Sequence, residues 1–397
     1  MNTFVLCGTL FTGEDKALRR NAAIEVKGNQ ILRVLPADQI PKEGVQVIDL
    51  SDKFVTPGLI DMHTHVVMDG QVDPFNDMLY TTHGKSTIDG IFRAQRDLLA
   101  GFTTIRDCGG CRTGDALAIR DAINAGQVDG PRMLVSGPYL VTSGVTTLYQ
   151  DGGFTFDGPD EARKMARKAV ASGVDQLKHL GILHVTYDEM AALGEVARET
   201  GKLYSIHATD LLTVKKAAKA APDTIEHGNE IDDEALELML KNNVCLIPTY
   251  CPYYFCAEHA EDVLGRTPAQ AAATRARYEG HAANLPWLIK SGLTIGFGAD
   301  TGATLTKHGA QAFEMELMSR NGMDNLDILM AATSVNAKVL HWEDKVGSIA
   351  AGKLADIAAF DGDPSQDIRA MQHCSFVMKD GVVYKGGVAK PLSPALV

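Results

Sequence analysis

Between residues 58 and 300 the chain alternates repeatedly between short apolar runs and stretches with helical periodicity, and few folds accommodate such an alternation. The runs are Gly58–Val67, Thr103–Asp107, Arg132–Ser136, Val174–Leu180, Leu203–Ala208, Thr224–His227, Val244–Thr249 and Leu293–Asp300. Between them, Pro159–Ser172, Tyr187–Thr200 and Asp233–Lys241 carry apolar residues at helical spacing. The runs are too apolar to leave one face in water, which marks parallel strands covered by helices. Eight strand-then-helix units predict an α/β fold, a (β/α)8 TIM-type barrel over residues 57–345.

The two ends read differently. Thr3–Leu10, Ala22–Lys27 and Gln30–Val34 are short strand patterns, with Gly28-Asn29 as a hairpin turn. Ala355–Phe360, Cys374–Lys379 and Val382–Lys385 repeat the style, with Asp380-Gly381 as the turn. Neither end has enough strands to close a sheet alone. Residues 1–56 and 346–397 are therefore expected to join in a small β-sandwich domain beside the barrel.

Composition narrows the partners. Apolar residues at 45% and charged residues at 22% are ordinary for a globular chain and exclude disorder and collagen-like repeats. The net charge of −12 has the wrong sign for a binder of nucleic acid. The longest apolar runs fall far short of the ~20 residues a membrane span needs, so no membrane partner is expected. The start lacks a basic segment followed by an apolar one, and seven cysteines, an odd number, fit reduced thiols in a cytoplasmic protein. No coiled-coil pattern is visible, although a homo-oligomer is compatible with a barrel of this kind.

The chemistry-bearing residues sit at the ends of the apolar runs. His63 and His65 alternate to one face of the first strand, where two imidazoles can grip one metal ion. His207 closes the fifth run, His227 the sixth and Asp300 the eighth. In barrel enzymes the C-terminal strand ends converge on one rim, so four histidines and an aspartate there point to a first-row metal site. Lys178 lies between apolar residues at the end of the fourth run. A desolvated ammonium is costly there, and the neutral amine can take up CO2 to become a carbamate, a bidentate anion able to bridge two metals. Pairing with Asp175 or Glu226 is the structural alternative. His179 points the other way by strand alternation and stays outside the ligand set.

These positions resemble the amidohydrolase superfamily, in its branch of imidazolonepropionase and the prolidase-like (Xaa-Pro dipeptidase-like) and ochratoxinase-like amidases. The resemblance spans nearly the whole chain and rests on Thr56-Pro-Gly-Leu-Ile-Asp-Met-His-Thr-His65, Gly101–Asp107, Glu226-His227-Gly228 and the tail Gly347–Asp356. It implies that His63, His65 and Asp300 hold the more buried of two divalent ions, expected to be Zn2+. His207 and His227 would hold the other, and a carbamate on Lys178 would bridge both beside a hydroxide. Two divalent ions against the carbamate, Asp300 and the hydroxide leave a formal charge of about +1, suited to polarising a carbonyl. The implied reaction is attack of the bridging hydroxide on a small amide substrate, of dipeptide or N-acyl amino acid type. Asp300 would take the proton and pass it to the leaving amine. Two alternatives stand beside it: a mononuclear cyclic-amide hydrolase or deaminase with unmodified Lys178, and a non-catalytic scaffold on the same barrel.

One departure concerns substrate recognition. Many prolidase-like members carry a histidine after the third strand for the substrate carboxylate; here Val141–Tyr149 contains none. Tyr250, Tyr253 and Tyr254, in the densest aromatic cluster of the chain, are candidate substrate contacts, as is Tyr149. Arg106, Arg112 and Tyr139 are further candidates for a carboxylate. Cys108-Gly-Gly-Cys111 lacks a second pair and reads as a turn before it reads as a metal or redox site. His207-Ala-Thr-Asp210 places a carboxylate where some deaminases shuttle protons, but Asp210 suits a helix N-cap better.

Overall fold

The computed structural model describes residues 2–110, 114–144, 154–182 and 184–387. Strands β1 (Thr3–Phe11), β2 (Leu18–Lys27) and β3 (Gln30–Pro36) form an antiparallel meander. The turn from β2 to β3 passes through Gly28 at φ +61°, left-handed backbone that glycine adopts without strain. A fourth strand, β4 (Gln46–Pro57), pairs in parallel with β1. Its Asp49, Ser51, Asp52 and Lys53 break the apolar pattern, which is why the sequence shows no strand there. The polar residues are absorbed by a register shift between Cys7 and Thr9.

β4 runs through Gly58 into the interior. There β5 (Leu59–Thr64), β6 (Phe102–Asp107) and β7 (Arg132–Val135) make a parallel sheet. A short parallel pair, β8 (Val141–Thr142) and β9 (Thr155–Phe156), follows. A second parallel sheet holds β10 (Gln176–Leu180), β11 (Leu203–Ala208), β12 (Thr224–His227) and β13 (Cys245–Ile247). The two sheets are tied on one side by Asp175 N to Val135 O (2.8 Å) and Leu140 N to Lys178 O (2.9 Å). On the other side residues 293–301 intervene, with Gly296 N donating to Leu246 O (2.9 Å) and Met62 N to Phe297 O (3.0 Å).

That last segment was expected as an eighth regular strand and instead makes isolated bridges, Leu246 to Ile295 and Thr64 to Thr301. Glycine accounts for the difference. A Cβ at Gly298 would stand 2.5 Å from Ile247 Cγ2 and 2.9 Å from His63 Cβ. The backbone therefore passes flush against β5 and β13, a close approach that a side chain would forbid.

The chain returns to the first sheet with β14 (Ile357–Phe360), β15 (Cys374–Lys379) and β16 (Val382–Lys385). β14 pairs antiparallel with β4, so both termini share one seven-stranded sheet of order β16-β15-β14-β4-β1-β2-β3. Asp380 (φ 50°) and Gly381 (φ 75°) make the tight turn between β15 and β16.

Helices cover the parallel strands at the places the periodicity marks. Tyr187–Thr200 starts on a reciprocal cap between Thr186 and Glu189 and ends at Gly201, φ 64°. It buries Met190, Leu193, Val196 and Ala197, three and four residues apart, each large side chain stabilising the core by about 1.5–3 kcal/mol. Asp210 caps the helix Leu211–Ala220 by accepting from Thr213 N (3.0 Å) and Thr213 Oγ1 (2.6 Å), the role its sequence position suggested. Among the described residues no helix is long and apolar enough to cross a membrane. The six described cysteines are all unpaired.

Candidate active site

Every residue expected to bind metal lies at the C-terminal end of a parallel strand or in the 293–301 segment. His63 is in β5 with His65 just past it, Lys178 is in β10, His207 in β11, and His227 ends β12. The ladder sets their levels, since Leu180 pairs with His207 and Ala208 with His227. All six side chains line one cavity of about 610 Å³, a volume suited to a small molecule.

The interatomic spacing is that of ligands around an ion. Asp300 Oδ1 lies 3.1 Å from His65 Nε2 and 3.5 Å from His63 Nε2, and Lys178 Nζ lies 3.4 Å from the same His63 atom. Donors at about 2.1 Å from a tetrahedral ion stand roughly 3.4 Å apart. The outer ring nitrogens are already engaged. His63 Nδ1–H donates to Glu226 Oε2 (2.7 Å) and His65 Nδ1–H to Gly109 O (2.6 Å). His227 Nδ1–H donates to Thr249 Oγ1 (2.6 Å), whose own hydroxyl donates to Pro248 O (2.7 Å). These partners set the tautomers so that the Nε2 lone pairs remain for a cation. The His207 ring packs 4.4 Å from that of His227, centroid to centroid. The donor set fits a metal.

Two of these residues sit in left-handed backbone, His227 at φ 73° and Asp300 at φ 54°. His and Asp tolerate that region better than most, and neighbours hold both in place. His281 Nε2–H donates to the His227 carbonyl (3.0 Å), and Ala303 N donates to that of Asp300 (3.1 Å).

The electrostatics keep the donors in their binding forms. Burial, with help from Lys178, pushes His63 down to about 4 and His207 to about 3. His227 is likewise held well below the usual imidazole range by burial and by the neighbouring His207. Burial would raise Asp300, but His63, His65 and Lys178 outweigh it and bring the carboxyl down to about 2. Glu226 is ionised for a similar reason: burial opposes it, and Arg106, Lys178 and His63 overcome burial.

His63, Cys108 and Glu226 also approach one another within 4.8 Å. The His63–Glu226 bond already engages two of these groups, and burial pushes the Cys108 thiol up to about 11.

His179 shows the same desolvation off the site. It faces away from the cavity toward Phe156 and Tyr204, and burial lowers it to about 3. In the unfolded chain it takes a proton near pH 6.5, whereas the folded chain refuses one until about pH 3. Its contribution is therefore intact above pH 6.5 and is lost as pH falls. Wild-type stability minus that of His179→Gln is expected to drop by up to about 1.4 kcal/mol per pH unit between pH 6 and 4. Denaturant titrations at three pH values check this; a flat difference would contradict it.

The Amidohydrolase family profile matches residues 54–388. The chain belongs to the amidohydrolase family. Hydrolases of this family act on C–N bonds and are generally metal-dependent. An imidazolonepropionase of Fusobacterium nucleatum is 24% identical over 388 residues, covering 87% of this chain and 86% of that protein. A crystal structure of a Xaa-Pro dipeptidase with bound methionine in the active site superposes with a TM-score of 0.88 at 29% identity, covering 97% of this chain and 100% of that one. The A. niger ochratoxinase shares the fold, with a TM-score of 0.84 at 23% identity over 98% and 96% of the two chains.

Around the candidate metal donors, this amidohydrolase departs from what its sequence suggests in several places. Of the aromatic cluster, Tyr253 lines the cavity. Tyr250 is buried against His281, and Tyr254 packs on Phe255, Tyr278 and Phe313. The cluster lies on a helix, Tyr250–Glu258, whose twist turns the tyrosines to different sides. Arg106 is not a substrate contact: it is fully buried and donates to Met62 O, Thr224 Oγ1 and Glu226 Oε1. Cys108 is buried beneath the rim, and its thiol is directed at Met62 O. Tyr139 does line the cavity, its hydroxyl 3.3 Å from His65 Nδ1. Tyr149, Arg112 and Cys111 lie outside the described residues.

The sequence reading also missed residues. By sequence Glu226 reads as a partner for Lys178; in the structure it orients His63 and neutralises Arg106. The signal was present: two charges in apolar strands demand each other. Arg266 and Arg277 line the cavity mouth from a stretch with no distinguishing motif.

Proposed function

We propose that the protein is a metal-dependent hydrolase of a small amide, of dipeptide or N-acyl amino acid type. The observation that carries this reading is the inward turn of the Nε2 atoms of His63, His65 and His227 around Asp300, with each Nδ1 tied to an acceptor behind. In this reading His63, His65 and Asp300 hold one divalent ion, His207 and His227 a second, and Lys178 joins the set as its CO2-derived carbamate. Imidazole and carboxylate donors suit Zn2+. Bound there, such ions would polarise the scissile carbonyl and make water a nucleophile at neutral pH. Asp300, ionised at the floor of the cavity, accepts the proton of the attacking water and returns it to the leaving nitrogen. Leu180, Ile182 and Phe75 give the cavity an apolar wall for a hydrophobic substituent.

The same reading closes the two parallel sheets and residues 293–301 into an eight-membered barrel spanning 57–345, with 1–56 and 346–397 as the β-domain. The hydrogen bonds on both flanks support it. The unpaired thiols are in keeping with a cytoplasmic setting.

One observation favours a second reading, a mononuclear cyclic-amide hydrolase or deaminase. The donor atoms of His63, His227 and Asp300 lie within 4.8 Å of one another, close enough to share a single ion. Metal content separates the two. We expect about two ions per chain by mass spectrometry, hydrolysis within a panel of dipeptides and N-acyl amino acids, and loss of both an ion and at least 100-fold in kcat in Lys178→Ala. One ion with a tolerated Lys178→Ala selects the mononuclear reading. No bound metal and no turnover would leave a scaffold.

A further inference from the structure

We propose that Arg277 reads a free carboxylate on the substrate, so that the site takes amides carrying an acid next to the scissile bond. The proposal deepens the hydrolytic reading and takes from it the position of the scissile carbonyl at the histidines; the charge complementarity stands apart from that reading.

The helix Pro268–Lys290 carries Thr274, Arg277, His281, Leu285 and Leu288 at three- and four-residue spacing, hence on one face. Thr274 and Arg277 line the cavity, and the other three are buried beneath it. His281 fastens this face to the site, since its Nε2 donates to the His227 carbonyl (3.0 Å) and its Nδ1 accepts from Asn229 Nδ2 (3.0 Å). Arg277 is one helical turn back, about 6 Å along the axis. Its guanidinium carbon stands 5.3 Å from the centre of the Tyr253 ring, which in turn stands 5.8 Å from the His227 ring. The cation thus faces the cavity one aromatic ring away from the histidines. In such an amide the carbon that carries the carboxylate is bonded directly to the scissile nitrogen, and consecutive Cα atoms stand only about 3.8 Å apart, so one small molecule can reach both.

Charge selects the ligand. Arginines inside the fold have acids: Arg106 pairs with Glu226, Arg120 with Asp175, and Arg132 with Asp356 and Asp380. Among the described residues no carboxylate pairs with Arg277 or with Arg266 beside it, although the chain holds an excess of acids. Among the described residues the only acid lining the cavity is Asp300, which is committed to His63 and His65. A guanidinium offers a planar fork that matches a carboxylate in two parallel hydrogen bonds, and stacking on Tyr253 orients that fork.

The test is calorimetric binding to the metal-loaded protein of N-methylsulfonyl-L-phenylalanine, whose sulfonamide replaces the scissile amide, and of its neutral carboxamide. Wild type is expected to bind the acid at least tenfold more tightly, and Arg277→Met to bring the ratio near one. Arg277→Lys, a point charge without the fork, should fall between. A wild-type ratio near one overturns the proposal, as does an undiminished ratio in an Arg277→Met that melts like wild type. If that variant does not fold, the wild-type ratio decides, and the acid preference must weaken with added salt. Turnover of the amide panel with no acid preference removes the clamp and leaves the hydrolytic reading. Acid preference without turnover does the reverse.

Discussion

Replacing Asp300 by Asn is expected to lower kcat by about 10²–10⁴ while leaving the fold intact. The side chain is isosteric, so the backbone at φ 54° and the bond from Ala303 N to the Asp300 carbonyl can persist. What disappears is the charge. The carboxylate is ionised down to about pH 2 because His63, His65 and Lys178 surround it, and the amide can neither balance those groups nor accept a proton. Asp300→Glu should not restore the rate, since an added methylene displaces an oxygen now 3.1 Å from His65 Nε2. Steady-state kinetics on a hydrolysed amide, with circular dichroism and metal analysis on the same preparations, checks both variants. A kcat within tenfold of wild type for Asp300→Asn would remove this residue from the proton-transfer role.

Glu226→Gln should be the most destabilising of the conservative changes near the site. Glu226 and Arg106 are both fully buried and meet at 2.6 Å, while the other carboxylate oxygen receives His63 Nδ1–H at 2.7 Å. Removing one partner of a buried pair strands the other charge, a loss of about 3–5 kcal/mol. If His63 is a metal ligand, losing the carboxylate behind it lowers metal affinity by about 10–100-fold. Denaturant midpoints and chelator competition measure the two effects. They separate in the double variant Arg106→Met/Glu226→Leu, where an apolar pair should recover most of the stability and none of the metal affinity. Restored affinity in that double variant would show that Glu226 acts through packing alone.

The contrast between these residues explains what a reader of the sequence could find. His63, His65, His207, His227 and Asp300 were legible because each closes an apolar run, and parallel strands bring their C-terminal ends to one side of the sheet. Asp210 was legible because a cap is a local bond, made to Thr213 three residues away. The Glu226–Arg106 pair was not, because its members are 120 residues apart on β6 and β12, and each alone looks like an isolated charge. The three tyrosines after Thr249, at 250, 253 and 254, were indistinguishable by type. Only the helix they form, with its turn of about 100° per residue, selects Tyr253 for the cavity and sends Tyr250 and Tyr254 into packing.

Local pattern and strand alternation thus determined the architecture, the rim on which the chemistry sits, and the identity of the metal-binding candidates. Which nitrogen of each histidine faces inward, which arginine is sealed beneath the site and which is open to a substrate were decided only by tertiary structure. The reason is physical. A side chain's period along its own strand or helix is set by covalent geometry, whereas its hydrogen-bond partner and counter-charge come from whichever distant segment packs against it.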